Sequence, residues 1–198
     1  NIVYSAHNSK FENFQVLNDR KFDIITSNIP FGSTKILDEL ISDNFELKKV
    51  PNIHSYFFLK SSLLLKTSGD IGFITSSNFL DSPGNEIDRA LFFQNNNSVK
   101  NVVRLPKETF LGTEVQTDYI QTHKTRFVTE LETKVLNEII QSISINANDL
   151  FISGTNNPNK NKDQEYNINA FIYQRQSKII LGDLQTNFMH NGIHYHLH

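Results

Sequence analysis

The sequence predicts an α/β domain built on a mostly parallel sheet with flanking helices, and three observations predict it. Phe22 to Ser27 is a nearly continuous run of apolar and β-branched residues, Ile53 to Leu65 carries apolar side chains at helical spacing, and Ile71 to Thr75 is again short, apolar and β-prone. Strand, helix, strand is the alternation that yields parallel strands joined by right-handed crossovers. The apolar density of the first run suits a strand covered on both faces.

Each element follows in order. Ile2 to Tyr4 is a brief β-prone run, followed by polar Ser5 to Lys10 and then Phe11-Glu12-Asn13-Phe14. The strand Phe22 to Ser27 ends at Asn28-Ile29-Pro30-Phe31. The helix has Ile53, Tyr56, Phe57, Leu59, Leu63 and Leu64 as its apolar positions, and Gly69 stops the pattern. Glu86 to Phe93 reads as a helix and Val99 to Leu105 as a strand. Gly112 to His123 reads as a last strand, on β-prone Val115, Thr117, Tyr119 and Ile120. Thr129 to Ile143 has helical spacing at Leu131, Val135, Leu136, Ile139 and Ile140. The core domain is expected over residues 1–145. Residues 146–198 are expected to be a polar loop, centred on Gly154 to Lys162, and a weakly specified tail.

Composition bounds what such a domain can be. A chain of 198 residues can bury one substantial core, and 16 Phe are available to fill it. A net charge of -2 argues against gripping nucleic acid by bulk electrostatics. Lys48, Lys49, Arg89, Lys100, Arg104 and Lys107 form a local basic face only if the fold gathers them, and a solvated surface is the plainer reading. With no Cys, disulfides and thiolate metal sites are excluded. No apolar run reaches the roughly 18 residues of a membrane span, and the first residues do not resemble a signal peptide, so a cytoplasmic protein is expected. The chain does not begin with Met, and it is expected to be a partial chain. Four of the seven His lie in the tail, where His194, His196 and His198 alternate. They suit a metal only if that end is a strand, and a frayed polar terminus is the simpler reading; no metal site is assigned.

An apolar parallel strand ending in Asn-X-Pro-aromatic sets that tetrapeptide at the carboxyl edge of the sheet, where open α/β folds bind ligands. Pro30 stiffens the turn, Asn28 offers an amide oxygen, and the turn leaves the Ile29 carbonyl available. Two acceptors converging on an exocyclic amine hold its hydrogens and stabilise the positive charge that builds on nitrogen as it attacks a methyl sulfonium. Phe31 can stack on the base plane. A base in duplex DNA reaches such a pocket only by leaving the stack.

At these residues the sequence resembles the amino-group DNA methyltransferases, whose motif is Asn, Asp or Ser, then Pro-Pro, then Tyr or Phe. Ser27 to Gly32, Val50 to Lys60 and Gly69 to Ser76 look like three consecutive blocks of the large methylases of phages and mobile elements. Arg104-Leu105-Pro106, Phe110, and Gly112 to Val115 followed by Thr117-Asp118 look like a fourth. The resemblance covers roughly residues 1–125. It implies a Rossmann-like class I S-adenosylmethionine-dependent methyltransferase fold, incomplete at its N-terminus, that methylates adenine N6 in DNA. Asn at the first motif position points to adenine, since Ser more often accompanies cytosine N4. The resemblance further implies that Asn28 and the Ile29 carbonyl receive the amine, that Phe31 and Phe110 cover the two faces of the flipped adenine, and that Phe11 packs on the adenine of S-adenosylmethionine. His54, Tyr56 and Phe57 are left out of the site.

Two departures stand out. Ile29 replaces the first Pro, which is expected to loosen the turn. Nothing resembles the Gly-rich loop that cradles the methionine part of S-adenosylmethionine; Gly32, Gly69, Gly72 and Gly84 do not form it. The chain by itself is therefore expected to bind the donor weakly and to be inactive alone. A non-catalytic DNA-binding or scaffold module with a degenerate methylase fold is the contrasting reading. A methyltransferase acting on RNA or on a protein glutamine is a further one.

Overall fold

The computed structural model describes residues 21–32, 38–45, 51–106, 109–110, 115–146, 165–175, 178, 183–187 and 192–196. Four strands form the central sheet: β1 (Phe22–Asn28), β2 (Leu65–Ser76), β3 (Asn97–Leu105) and β4 (Thr117–Lys124), in the order β1-β2-β4-β3. β1 and β2 are parallel, whereas β4 runs antiparallel to both β2 and β3. Three strands therefore point the same way and the fourth is inserted against them. The expected parallel crossover is present between β1 and β2, and the sheet as a whole is mixed.

The helices are α1 (Glu39–Asn44), α2 (Ile53–Leu64), α3 (Asn78–Asp81), α4 (Glu86–Gln94), α5 (Glu130–Ile140) and α6 (Ala170–Gln174). α2 makes the crossover from β1 to β2. Asn52 caps it by accepting the Ser55 N–H at 2.9 Å, and the Asn52 amide donates to Asn85 Oδ1 at 2.8 Å. Tyr56, Phe58, Leu59, Lys60, Ser61, Ser62 and Leu64 are all buried, so α2 is an interior helix covered almost all round. Phe58 lies at the centre of the core: it stacks on Phe79 at 4.2 Å between centroids and meets Phe73 and Phe92 edge-on at 5.0 and 5.1 Å. Each such aromatic pair adds about 0.5–1.5 kcal/mol beyond the area it buries. Lys60, wholly buried, reaches Asp38 at 2.6 Å, and Tyr56 Oη donates to the same carboxylate oxygen at 2.7 Å.

Three expectations need correction. Among the described residues β1 is not covered on both faces: it is one of the two outer strands of the sheet, and Ile24 is 67% exposed. An apolar run reports β-propensity before it reports burial. β2 starts at Leu65, six residues before the expected Ile71, through an irregular stretch in which the partner of Phe22 is Leu65 and that of Ile24 is Asp70. Within it Ser68 has φ 69, and a Cβ on Gly69 would lie 2.8 Å from the Asp23 carbonyl, so glycine permits the close approach of β1. α5 is shorter than expected, since the chain after Ile140 turns into a strand.

That strand, β5 (Ser142–Asn146), pairs antiparallel with β6 (Glu165–Asn169), and α6 follows. Asn169 is fully buried and donates through Nδ2 to the carbonyls of Leu80, Ile139 and Gln141. The pairing thus crosses the expected boundary near residue 145 and packs residues 165–175 on the main body. β7 (Asp183–Asn187) and β8 (Gly192–His196) form a separate hairpin. His194 and His196 fall within β8; His198 and the loop expected at Gly154 to Lys162 lie outside the described residues. No helix among the described residues is long and apolar enough to cross a membrane.

Candidate active site

The carboxyl ends of β1, β2 and β3, at Asn28, Ser76 and Leu105, share one edge of the sheet, and β4 starts there at Thr117. The tetrapeptide lies on this edge. Asn28 is the last residue of β1 and is exposed, with Ile74 of β2 as its partner. One residue further, the Ile29 N–H donates to the Ile74 carbonyl at 2.9 Å, and the Ile29 side chain is fully buried in the core. Pro30 is exposed and Phe31 is 37% exposed.

Ile29 is therefore not a loosening substitution. A proline there could not donate to Ile74; isoleucine makes that bond and fills the core beneath the turn. The alternation out, in, out over Asn28, Ile29 and Pro30 follows from the extended backbone. With Ile29 anchored, Asn28 and Phe31 face outward. Among the described residues, the Asn28 carboxamide has no hydrogen-bond partner, so it stands ready to accept from a ligand.

Phe31 rests against His54, with 6.2 Å between centroids and 48° between the planes. His54 is the second residue of α2, whose N-terminus lies at this edge because the crossover helix runs against the strands. Its Nδ1 is 2.9 Å from Thr75 Oγ1, a fully buried hydroxyl on β2. Burial lowers the His54 pKa from 6.5 to about 4, so the ring is neutral at physiological pH. Helical spacing alone does not assign His54 to the site; its place just inside the N-cap of the crossover helix is the signal available in the sequence.

A buried, neutral histidine has a stability signature. Its folded pKa lies below its unfolded one, so stability is fully present above about pH 6.5 and is lost as pH falls toward about 4. The loss over that window is on the order of 3 kcal/mol. Urea melts of the protein should show this slope, and His54→Gln should flatten it; equal slopes for the two proteins would refute the assignment.

Of the other expected site residues, Phe110 is partly buried in the connection that leaves β3 at the same edge. Phe11 lies outside the described residues. The local basic face does not form from the arginines. Arg89 is buried and donates to the carbonyls of Phe79, Ser82 and Ile140 and to Ser142 Oγ. Arg104 is buried between Asp118 and Asp81. Lys100 pairs with Asp70 at 3.3 Å, while Lys48, Lys49 and Lys107 lie outside the described residues. Among the described residues no cluster of three or more metal-ligating side chains occurs, and no glycine-rich turn suited to cradle a nucleotide or its analogue: Gly69 and Gly72 are inside β2 and Gly84 is in a single 3-10 turn.

Comparison with known proteins supplies the family. The model of the family described as Eco57I restriction-modification methylase matches residues 3–110, more than half of the chain. No curated protein matches it. Among solved structures, the methyltransferase subunit of a type I restriction-modification system from Streptococcus thermophilus is 16% identical, with a TM-score of 0.50, over 84% of this chain and 33% of that one. The M protein of the type I restriction enzyme EcoKI is 20% identical, with a TM-score of 0.43, over 57% of this chain and 22% of that one. A Listeria monocytogenes protein assigned to the class I S-adenosylmethionine-dependent methyltransferases is 18% identical, with a TM-score of 0.47, over 58% of this chain and 35% of that one. The chain thus spans about a third or less of the length of these neighbours. At 16% identity the likeness to the Streptococcus thermophilus subunit shows the fold alone, an α/β architecture shared over most of this chain. The family match is broader in meaning, for it takes in β1, the tetrapeptide, α2, β2 and the stretch through Phe110: the chain belongs to the Eco57I restriction-modification methylase family.

Proposed function

We propose that this chain carries the target-amine half of a methyltransferase site that acts on N6 of adenine in DNA, with S-adenosylmethionine as the donor. The observation that carries the reading is the posture of the tetrapeptide. Asn28 presents at the carboxyl edge a carboxamide with no hydrogen-bond partner among the described residues, pinned from below by the buried Ile29, with Phe31 exposed beside it.

S-adenosylmethionine supplies an electrophilic methyl group. The described residues do not build a cradle for it, and what they do is done to the amine. The Asn28 carboxamide oxygen and the Ile29 carbonyl accept the two N–H groups of the exocyclic amine and hold its lone pair in one direction. As positive charge develops on that nitrogen, both acceptors stabilise it more than they stabilise the neutral amine, which is the condition for catalysis rather than simple binding. Phe31 offers its exposed face to the flipped base, and Phe110 closes from the β3 side. His54, neutral, supports Phe31 and takes no proton. Phe11 is assigned to the donor's adenine by the same resemblance. We assign residues 1–145 to the catalytic domain, with residues 165–175 packed onto it from the appended segment 146–198.

The net charge of -2 and the internal use of Arg89 and Arg104 leave the phosphate backbone to be held by other groups. The full-length polypeptide should transfer tritium from labelled S-adenosylmethionine to duplex DNA, and nucleoside digestion should place the label in N6-methyladenine. Label in methylcytosine, in RNA or in protein glutamine would overturn the substrate; no transfer to any of them would favour the scaffold reading.

A further inference from the structure

Arg104 and Asp118 are both fully buried and face each other across β3 and β4 in register. Arg104 Nε donates to Asp118 Oδ1 at 2.8 Å and Nη2 to Oδ2 at 2.9 Å, a two-pronged grip. Asp81, the last residue of α3, closes on the same guanidinium at 3.0 Å from Nη1 and from Nη2. Asp81 Oδ1 also accepts the backbone N–H of Asn169 at 2.9 Å.

A buried ion cluster is weak evidence of stabilisation. Taking two charges fully out of water carries a desolvation penalty that their attraction only partly repays, and an apolar pair of similar volume is often as stable or more so. A planar fork on a carboxylate instead fixes orientation, which an apolar pair leaves looser. What it orients is the carboxyl edge. Arg104 is one residue before the end of β3 and Asp118 is the second residue of β4, so their bond closes the root of the connection that carries Phe110. The Gln116 amide donates to the Leu105 carbonyl at that root, and the Ser77 N–H, just past β2, donates to the Gln116 carbonyl at 2.9 Å. β2 in turn holds the tetrapeptide through Ile74. The root of Phe110 and the seat of Asn28 are thus joined through one set of bonds.

We propose that Arg104, gripped by Asp118 and Asp81, is a positioning residue that sets where Phe110 stands relative to Asn28 at the target base; this rests on the methyltransferase reading above. The decisive variant pairs Arg104→Met with Asp118→Leu in an Asp81→Asn background, so that no carboxylate of the cluster is stranded and position 81 keeps an acceptor for the Asn169 N–H. The 198-residue sequence has no Trp, so in this chain taken by itself Phe110→Trp introduces a single emitter at the position in question. In the full-length polypeptide the paired variant should melt within a few degrees of its parent, while kcat for methyl transfer falls about 10- to 100-fold and KM for DNA changes by less than about threefold. In the Phe110→Trp background its emission should move to longer wavelength and its anisotropy should drop. Arg104→Lys should not rescue, because an ammonium cannot reproduce the fork. A folded paired variant with unchanged kcat overturns the proposal. Should the paired variant fail to fold, Asp118→Asn decides by the same readouts. If the unsubstituted protein methylates nothing, the substrate reading falls first, and the positioning claim then stands or falls on the tryptophan emission alone.

Discussion

Asn28→Ala should lower methyl transfer to DNA by about 100- to 1,000-fold, the loss that follows removal of one preorganised partner from a charge-stabilising site. The residue is exposed and its carboxamide has no partner among the described residues, so melting temperature should not move. The loss belongs in kcat, since the acceptor acts on charge that exists only in the transition state. Single-turnover transfer of tritium at saturating DNA measures it. A variant within about threefold of wild type would remove Asn28 from the chemistry, and with it the main support for the proposed function.

The largest stability effect is expected at Lys60. Lys60→Met leaves the Asp38 carboxylate without its cation, where the two side chains are 0% and 6% exposed, and breaking a buried pair from one side typically costs about 3–5 kcal/mol. Burial alone would raise the Asp38 pKa, but the hydrogen bonds from Lys60 and Tyr56 hold it below the usual carboxylate range. A depressed carboxylate contributes stability that is present above its unfolded pKa and lost as pH falls through the folded value. In Lys60→Met that contribution is gone, so the gap between variant and wild type should be widest at neutral pH and narrow in acid. Adding Asp38→Asn removes the stranded charge while keeping an acceptor for Leu40 N–H, the N-cap bond of α1, and should restore part of the loss. Denaturant melts at two pH values test this; a gap independent of pH and of Asp38→Asn would show the pair to be energetically inert.

Much of the central body was legible in the sequence because its periodicities are strong. α2 was expected over Ile53 to Leu65 and is found over Ile53–Leu64; β1, α4 and β3 lie within two residues of expectation. What was missed has a common cause. β5 and β6 are short, carry few apolar residues, and are held by groups distant in sequence, chiefly Arg89 and Glu86 on Ser142 and Asp81 and Leu80 on Asn169. Local pattern does not report such bonds. The site shows the same division. The tetrapeptide was readable as a motif, but the value of Ile29 depended on a bond to Ile74 and on a cavity to fill, both set by β2. His54 and Arg104 looked like surface residues in one dimension and are interior ones in three.

The place of β4 bears on how the protein is made. It is the last of the four sheet strands in sequence yet lies between β2 and β3. As the chain leaves the ribosome, β1 and β2 can pair early, but β2 and β3 have no shared neighbour until residue 124 has emerged. During that interval the inner edges of both strands present unpaired backbone groups, the condition under which nascent chains recruit chaperones or pair wrongly. The tetrapeptide is synthesised well before the strand that joins β2 to β3, so the acceptor edge becomes rigid only after β4 has followed it.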